Sequence, residues 1–267
     1  MALDLPAAAA FDFLTQVALR YTSLLGAPLA RPETGLSGKL FYAGELDENG
    51  RALVVAANIA GAATLVATAD PAAQRPAIRD GVADFVVTTL DEALRILKNQ
   101  LRKRETVAVC VALSPTEIER EMNERGVAPD LLRRDLRIPP QHQALLIHER
   151  GEQEREETEF DLGRIPTVVT WRVDSALPKD LAKLDEIALD CLDGDAWAAR
   201  RWLRLSPRYL GRLAQGMRLL DANREFAARF FEQVSQRAER GEITFAFEIF
   251  SYFRGIRDEF RFAPTKP

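Results

Sequence analysis

Residues 43–70 have the outline and the spacing of a segment that binds a nucleotide. A short apolar strand ends at a tight loop, a helix follows, and a second strand ends just before an aspartate. Dinucleotide-binding folds use such a loop to bring backbone N–H groups to a pyrophosphate, and an acid about 20 residues further on to bind ribose hydroxyls. The pattern predicts a cofactor-binding site made of Gly44, Glu45, Asn49, Gly50, Arg51 and Asp70.

The loop of this candidate site is acidic. Glu45, Asp47 and Glu48 stand where a phosphate-binding loop usually has glycines. A carboxylate a few ångströms from a phosphate costs about 1 kcal/mol in water and several where water is partly excluded. Arg51 can offset only part of this repulsion. We therefore predict that a pyrophosphate binds here weakly or not at all, and that glycine in place of the three acids strengthens binding.

Asp70 has two interpretations, which the sequence leaves open. It has the spacing of an acid that binds ribose hydroxyls. Followed by Pro71, it also has the context of the N-cap of a helix, because proline is favoured at the first helical position.

Motifs identify no catalytic residue and predict no metal site. His142 and His148 lack the spacing of a metal-binding pair. Cys110 and Cys191 lie far apart in apolar segments, which predicts buried thiols. Ser114, in the context SPTE, has the pattern of a helix capping box rather than of a nucleophile.

Two charged segments keep several interpretations. The acidic run 149–161 is most simply a solvated loop. The arginine stripe of residues 200–212 is most simply a solvated helix face, but it also fits a phosphate, an acidic partner or the acidic run itself. The stripe contains Arg201, Arg204, Arg208 and Arg212, with Arg200 beside it.

The elements that position these residues alternate along the chain. Four apolar strands separated by helices between residues 39 and 126 predict an α/β fold: a Rossmann-like parallel sheet with helices on both faces. A helix at 6–25 precedes them, and two further strands follow near 141–150 and 167–173. The region after 176 is expected to be mainly helical, with a helix starting at Ser206-Pro207, although its phenylalanine-rich tail also fits a strand at its start. The predicted organisation is an N-terminal helix and loop over 1–36, a Rossmann-like domain over 37–175 and a mainly helical C-terminal region over 176–267.

Composition restricts the partners. The 267 residues carry a net charge of −4, which argues against general nucleic-acid binding. No apolar run has the roughly 18 residues of a membrane span, and the N-terminal segment lacks the basic start of a signal peptide. We therefore expect a cytoplasmic protein that binds neither nucleic acid nor membrane. A nucleotide-like small molecule and a second copy of the chain remain compatible partners.

Residues 37–132 resemble the central NAD-binding domain of urocanase (urocanate hydratase). Three stretches carry the resemblance: AANIAGAATLVATAD ending at Asp70, LDEAL at 90–94 and ERGVAPDLL at 124–132. The resemblance implies a Rossmann-like sheet and descent from an NAD-binding protein. Urocanases have a glycine-rich stretch, of the form GLGGMGGAQ, where this chain reads ELDENGRAL. The resemblance thus implies that the domain binds NAD, whereas the acidic residues of the loop argue against NAD binding.

These observations favour a non-catalytic or strongly diverged module that binds a nucleotide or another small anion. One alternative is an NAD-using enzyme with a rebuilt site, for which the resemblance implies a carbon–oxygen lyase of the hydratase type. Another is a homo-oligomeric interaction scaffold that uses the aromatic tail and the arginine stripe.

Overall fold

The computed structural model describes residues 5–133, 145–147, 168–173, 178–214, 216–253 and 256–263. His142, His148 and the acidic run 149–161 lie outside these ranges, so the interpretations given to them stay predictions. Within the described ranges, none of the helices has both the length and the apolar character that a membrane crossing requires. The described residues form two compact units, one built on a parallel sheet and one on an antiparallel sheet.

The parallel-sheet unit alternates strands with helices. Its strands are β1 (Leu40–Glu45), β2 (Ala63–Ala67), β3 (Phe85–Val87), β4 (Val107–Val111), β5 (Leu131–Arg133) and β6 (Leu145–Ile147). Its helices are α2 (Glu48–Ala60), α3 (Pro71–Arg79), α4 (Leu90–Lys103) and α5 (Pro115–Glu124), and α1 (Leu5–Leu25) belongs to it from Leu19 onward. The predicted alternation over residues 39–126 is confirmed.

Apart from the start of α2, which the sequence places at Arg51, the helices of this unit begin and end within one residue of the positions that the sequence indicates. Gly61 ends α2 in the left-handed region, with φ 97°, where a residue with a Cβ would be strained. Thr89 caps α4 by accepting a hydrogen bond from the Glu92 N–H. Ser114 and Glu117 form a capping box at the start of α5, so the interpretation of Ser114 as a cap is confirmed.

Helices cover both faces of the parallel sheet. On one face, buried Tyr42 of β1 belongs to a core with Leu97 of α4 and Ile118 of α5. Its neighbour Phe41 is also fully buried, and side chains alternate between faces along a strand, so the opposite face is covered as well. Helix α2 contacts β1, β2 and β4. The predicted Rossmann-like parallel sheet with helices on both faces is confirmed.

The strand order places a topological switch point beside β1. The order is β3-β4-β2-β1-β5-β6, so the strands that follow β1 first extend the sheet on one side, and β5 then starts the other side. In open parallel sheets, ligands bind in the crevice at the carboxyl ends of the strands where the order reverses. β5 was missing from the sequence prediction because three residues, LLR, are too few to show a pattern.

The antiparallel-sheet unit contains β7 (Val168–Val173), β8 (Met217–Asp221), β9 (Phe247–Phe253) and β10 (Ile256–Phe262), in the order β10-β9-β7-β8. Its helices are α6 (Pro178–Asp190), α8 (Arg224–Glu239) and most of α7 (Trp197–Leu210). The strand predicted at 167–173 is present, and it belongs to this second sheet.

The expectation of a mainly helical C-terminal region was incomplete. Its helices are present, but 217–221 is a strand, and the phenylalanine-rich tail forms the hairpin β9–β10. The helix start predicted at Ser206-Pro207 was wrong, because both residues lie inside α7. The tail aromatics pack on one another: the rings of Phe247 and Phe262 stack with centroids 5.4 Å apart. These two tail residues therefore contribute to packing within the hairpin.

Candidate functional site

The switch point brings together the loop after β1 and the end of β5. β1 ends at Glu45 and α2 starts at Glu48, while β5, hydrogen-bonded to the other side of β1, ends at Arg133. Parallel strands present their carboxyl ends at the same edge of the sheet, so the acidic loop and Arg133 share one crevice. We call this the switch-point cleft.

The turn from β1 into α2 requires glycine at two positions. Gly44 has φ 75°, and the pairing of β1 with β2 shifts register there. At Gly50, in the first turn of α2, an added Cβ would lie 1.9 Å from the Glu45 carbonyl oxygen. The helix therefore approaches the end of β1 as closely as a residue without a side chain permits. Close packing of this kind is one of the roles of glycine in dinucleotide-binding turns.

Asp47 holds the N-terminus of α2. As N-cap, its Oδ1 accepts a hydrogen bond of 2.6 Å from the Gly50 N–H. The same oxygen lies 3.7 Å from Nη1 of Arg133, whose side chain is only 8% exposed, whereas that of Asp47 is 49% exposed. Asp47 therefore meets both a backbone donor of the helix start and a buried guanidinium.

A second buried arginine supports the loop from α1. Arg20 donates a hydrogen bond of 3.1 Å from Nη2 to Oδ1 of Asn49, and Arg20 itself is buried. The sequence pattern indicates Asn49 but neither Arg20 nor Arg133. Arg20 lies within the apolar pattern of a long helix, and Arg133 lies in the strand that was missed, so neither position showed a local signal.

Arg51 forms its ion pair outside the acidic loop rather than with the carboxylates of that loop. Its Nη2 donates to Oδ2 of Asp80 at 3.0 Å, at the C-terminal end of α3. Asp80 also accepts from Arg79. Arg79 and, after it, Arg51 hold the pKa of the Asp80 carboxyl below its usual value of 3.8. The sequence expected Arg51 to offset the charge of the acidic loop, and in the structure its ion pair is with Asp80.

Replacing Asp80 with asparagine should lower the free energy of unfolding by about 1 kcal/mol at pH 7. The pKa of Asp80 is lower in the folded than in the unfolded protein, so in acid the unfolded state binds more protons. The stabilisation by the two arginines is therefore lost as the pH falls through the pKa that Asp80 has in the folded protein. The difference between wild type and Asp80→Asn should therefore shrink below about pH 4. Urea unfolding from pH 3 to pH 7 measures it, and an equal difference at every pH would contradict the role given to these ion pairs.

Asp70 lies at the start of α3 and caps it. Its Oδ1 accepts a hydrogen bond of 2.8 Å from the Ala72 N–H, and its own N–H donates to Thr68 Oγ1. The capping interpretation is confirmed. The carboxylate is also exposed at the end of β2, so the ribose-binding interpretation stays a prediction.

Glu45 lies near two buried groups of the sheet. Burial raises the pKa of the Cys110 thiol to about 12, and the negative charge of Glu45 adds to the rise. Burial likewise raises the pKa of Tyr42, whose hydroxyl donates to Glu119 at 3.4 Å. Both groups stay protonated at neutral pH and belong to the core. The prediction of buried thiols is confirmed for Cys110 and Cys191.

Among the described residues, the other side chains considered as metal or anion ligands form no metal-binding group and no reactive cluster. Across the described ranges, no group of three or more His, Cys, Asp or Glu side chains is arranged to hold a metal ion. Arg200 donates to the carbonyl oxygens of Leu189, Leu192 and Asp193 at the end of α6, so its role is to cap that helix. Arg204 and Arg208 are exposed, in agreement with a solvated face.

Comparison with known proteins bears on the parallel-sheet unit. Residues 21–135 match the Urocanase Rossmann-like domain family. This part of the chain is urocanase-like. Within the chain, 105 residues are also 25% identical to an S-methyl thiourocanate hydratase from Variovorax sp. (strain JCM 16519 / RA8). That match covers 39% of this chain and 19% of the hydratase, so the chain matches about a fifth of the length of that relative.

The loop of the urocanase-like domain does not fit the pyrophosphate of NAD. The Gly50 N–H, in the first turn of α2, is already bonded to the Asp47 carboxylate. A phosphate oxygen at that place would lie within a few ångströms of this charge, at a cost of about 1 kcal/mol in water and about 4 kcal/mol near a protein surface. Glu45 and Glu48 add negative charge on either side of Asp47. The loop has the close helix–strand packing of a dinucleotide-binding turn, but its side chains carry the same sign of charge as a phosphate.

Proposed function

We propose that the urocanase-like domain is a non-catalytic binding module for a nucleotide-like or other small anionic ligand in the switch-point cleft. The observation that carries the proposal is the buried guanidinium of Arg133 at the carboxyl end of β5, beside the close turn at Gly50. The guanidinium group is suited to phosphates and carboxylates, which it binds with charge-assisted hydrogen bonds. Asp70, exposed at the end of β2, is available to a ribose hydroxyl.

The absence of catalysis is part of the proposal. The similarity to the hydratase covers less than a fifth of that enzyme, so its reaction is not carried over to this chain. Cys110 and Cys191 are buried thiols with raised pKa values, which suits them to packing rather than nucleophilic chemistry.

Titration by calorimetry with AMP, ADP-ribose, NAD and NADH tests the module. We expect AMP to bind more tightly than NAD, because AMP has one phosphate and does not bring a diphosphate against the acidic loop. Arg133→Met should weaken AMP binding about tenfold or more, since a charge-assisted contact is lost. Arg125→Met, at an exposed arginine that pairs with Asp91, is the matched control and should leave binding unchanged. Circular dichroism of each variant establishes that it is folded.

A second candidate is an NAD-using enzyme of the hydratase type, favoured by the similarity to the S-methyl thiourocanate hydratase. If NAD binds more tightly than AMP, the result would support this enzyme and argue against the non-catalytic binding module.

A third candidate is a homo-oligomeric scaffold. Phe85 and Ile78 are large apolar side chains that stay exposed, and Phe85 lies in edge strand β3, whose unpaired backbone groups can pair with another chain. No response to any of the four ligands, together with a dimer in sedimentation, would support this scaffold and overturn the module.

A further inference from the structure

We infer that the carboxylate of Asp47 is the resident anion of the switch-point cleft, and that it makes the cleft selective for ligands without a diphosphate. The selectivity for ligands without a diphosphate rests on the proposed function of the domain. The contacts of Asp47 with the Gly50 N–H and with Arg133 lie within the chain and do not depend on that function.

The two groups that Asp47 meets are those that a phosphate oxygen would use. Its Oδ1 accepts from the Gly50 N–H at 2.6 Å and lies 3.7 Å from Nη1 of Arg133. A backbone N–H in the first turn of a helix and a buried guanidinium are both donors that favour a negative oxygen. In this chain the negative oxygen comes from the protein itself, at the position where the resemblance implies a cofactor.

A diphosphate ligand would have to displace this carboxylate from both groups. The displaced Asp47 would remain attached to the loop between Glu45 and Glu48, so the ligand would meet three negative side chains in succession. A ligand that contacts Arg133 without reaching the Gly50 N–H avoids that displacement. The loop therefore discriminates against diphosphates by repulsion, which is a common route to specificity.

Asp70 provides the comparison within the same domain. It is also an aspartate N-cap, and it accepts from the Ala72 N–H at 2.8 Å. Within the ranges that the structure describes, no salt bridge joins Asp70 to an arginine, whereas Asp47 faces Arg133. Capping alone accounts for the contacts of Asp70, whereas Asp47 caps a helix and also faces a buried guanidinium.

Thermal unfolding with inorganic pyrophosphate as the probe tests the inference. Asp47→Asn keeps a side-chain oxygen for the Gly50 N–H, since asparagine caps helices about as well as aspartate, and it removes the charge. We expect pyrophosphate at a saturating concentration to raise the unfolding midpoint of this variant by about 3 °C. It should leave the midpoint of wild type unchanged.

Asp70→Asn is the matched control, because the same substitution at the neighbouring cap should create no response to pyrophosphate. Arg133→Met combined with Asp47→Asn should abolish the response, because the guanidinium is gone. Asp47→Ser, which also keeps a cap without charge, repeats the test if the asparagine variant does not fold. An equal midpoint shift in wild type, or no shift in either Asp47 variant, would overturn the inference. Failure of AMP to bind would overturn the proposed binding function, but it would not affect the conclusion drawn from the pyrophosphate response of the Asp47 variants.

Discussion

Replacing Arg218 with methionine should lower the free energy of unfolding of the antiparallel-sheet unit by about 3–5 kcal/mol. Arg218 donates from Nε to Oδ2 of buried Asp185 at 2.9 Å, and the Trp171 indole N–H donates to the other carboxylate oxygen at 2.9 Å. Methionine fills similar space but leaves the carboxylate buried with only a neutral donor. Burial, which outweighs the attraction of Arg218, already raises the pKa of Asp185. The loss should therefore shrink as pH falls and the carboxyl becomes protonated.

Urea unfolding followed by tryptophan fluorescence measures this loss, because Trp171, Trp197 and Trp202 all lie in the antiparallel-sheet unit. Arg229→Met is the matched control: Arg229 pairs with Asp193 at 2.8 Å, but both side chains are about half exposed. Exposed pairs of this kind contribute about 0–1 kcal/mol. Similar losses in the two variants would contradict the claim that burial makes the Arg218 pair important.

Replacing Gly50 with alanine should destabilise the urocanase-like domain by about 3 kcal/mol, at the upper end of what one added methyl group costs in a packed interior. The new Cβ would lie 1.9 Å from the Glu45 carbonyl oxygen, which is backbone and cannot move aside as a flexible side chain would. Either β1 or α2 must shift, and such a shift moves Asp47 relative to Arg133.

Denaturant unfolding followed by far-ultraviolet circular dichroism measures the effect of Gly50→Ala. Gly194→Ala is the control, because a Cβ at Gly194 would meet nothing within 4 Å and the residue does not have a left-handed φ. That variant should stay within about 0.5 kcal/mol of wild type. Tolerance of alanine at position 50 would mean that the turn is not as close as the structure has it.

The parallel sheet was predictable because each of its main strands is an apolar run buried on both faces. VAVCV in β4 has five buried residues in succession, a pattern that solvent-exposed antiparallel strands do not show. The ends of its helices were predictable because Gly61 and Ser114 act through local backbone geometry. The antiparallel sheet was less predictable, because pairing between β7 and β9 depends on residues about 80 positions apart.

The candidate site was predictable in its loop and not in its surroundings. The sequence locates the loop around Asp47 and Gly50 but starts the helix only at Arg51, whereas in the structure Asp47 is the N-cap and Gly50 lies in the first turn. It gives no sign that Arg133 and Arg20 converge on that loop, because their approach depends on the order of strands and on the packing of α1. The partner of Arg51 was unpredictable for the same reason: Asp80 comes near only once α3 has folded.

The central claim is that negative side chains at the switch-point cleft have replaced the site of a dinucleotide. Its most direct test is to denature purified wild-type protein and quantify the NAD and NADH released per chain by chromatography and mass spectrometry. We predict an amount far below one molecule per chain, and an increase when Glu45, Asp47 and Glu48 are all replaced by glycine. One NAD per chain in the wild-type protein would contradict the claim.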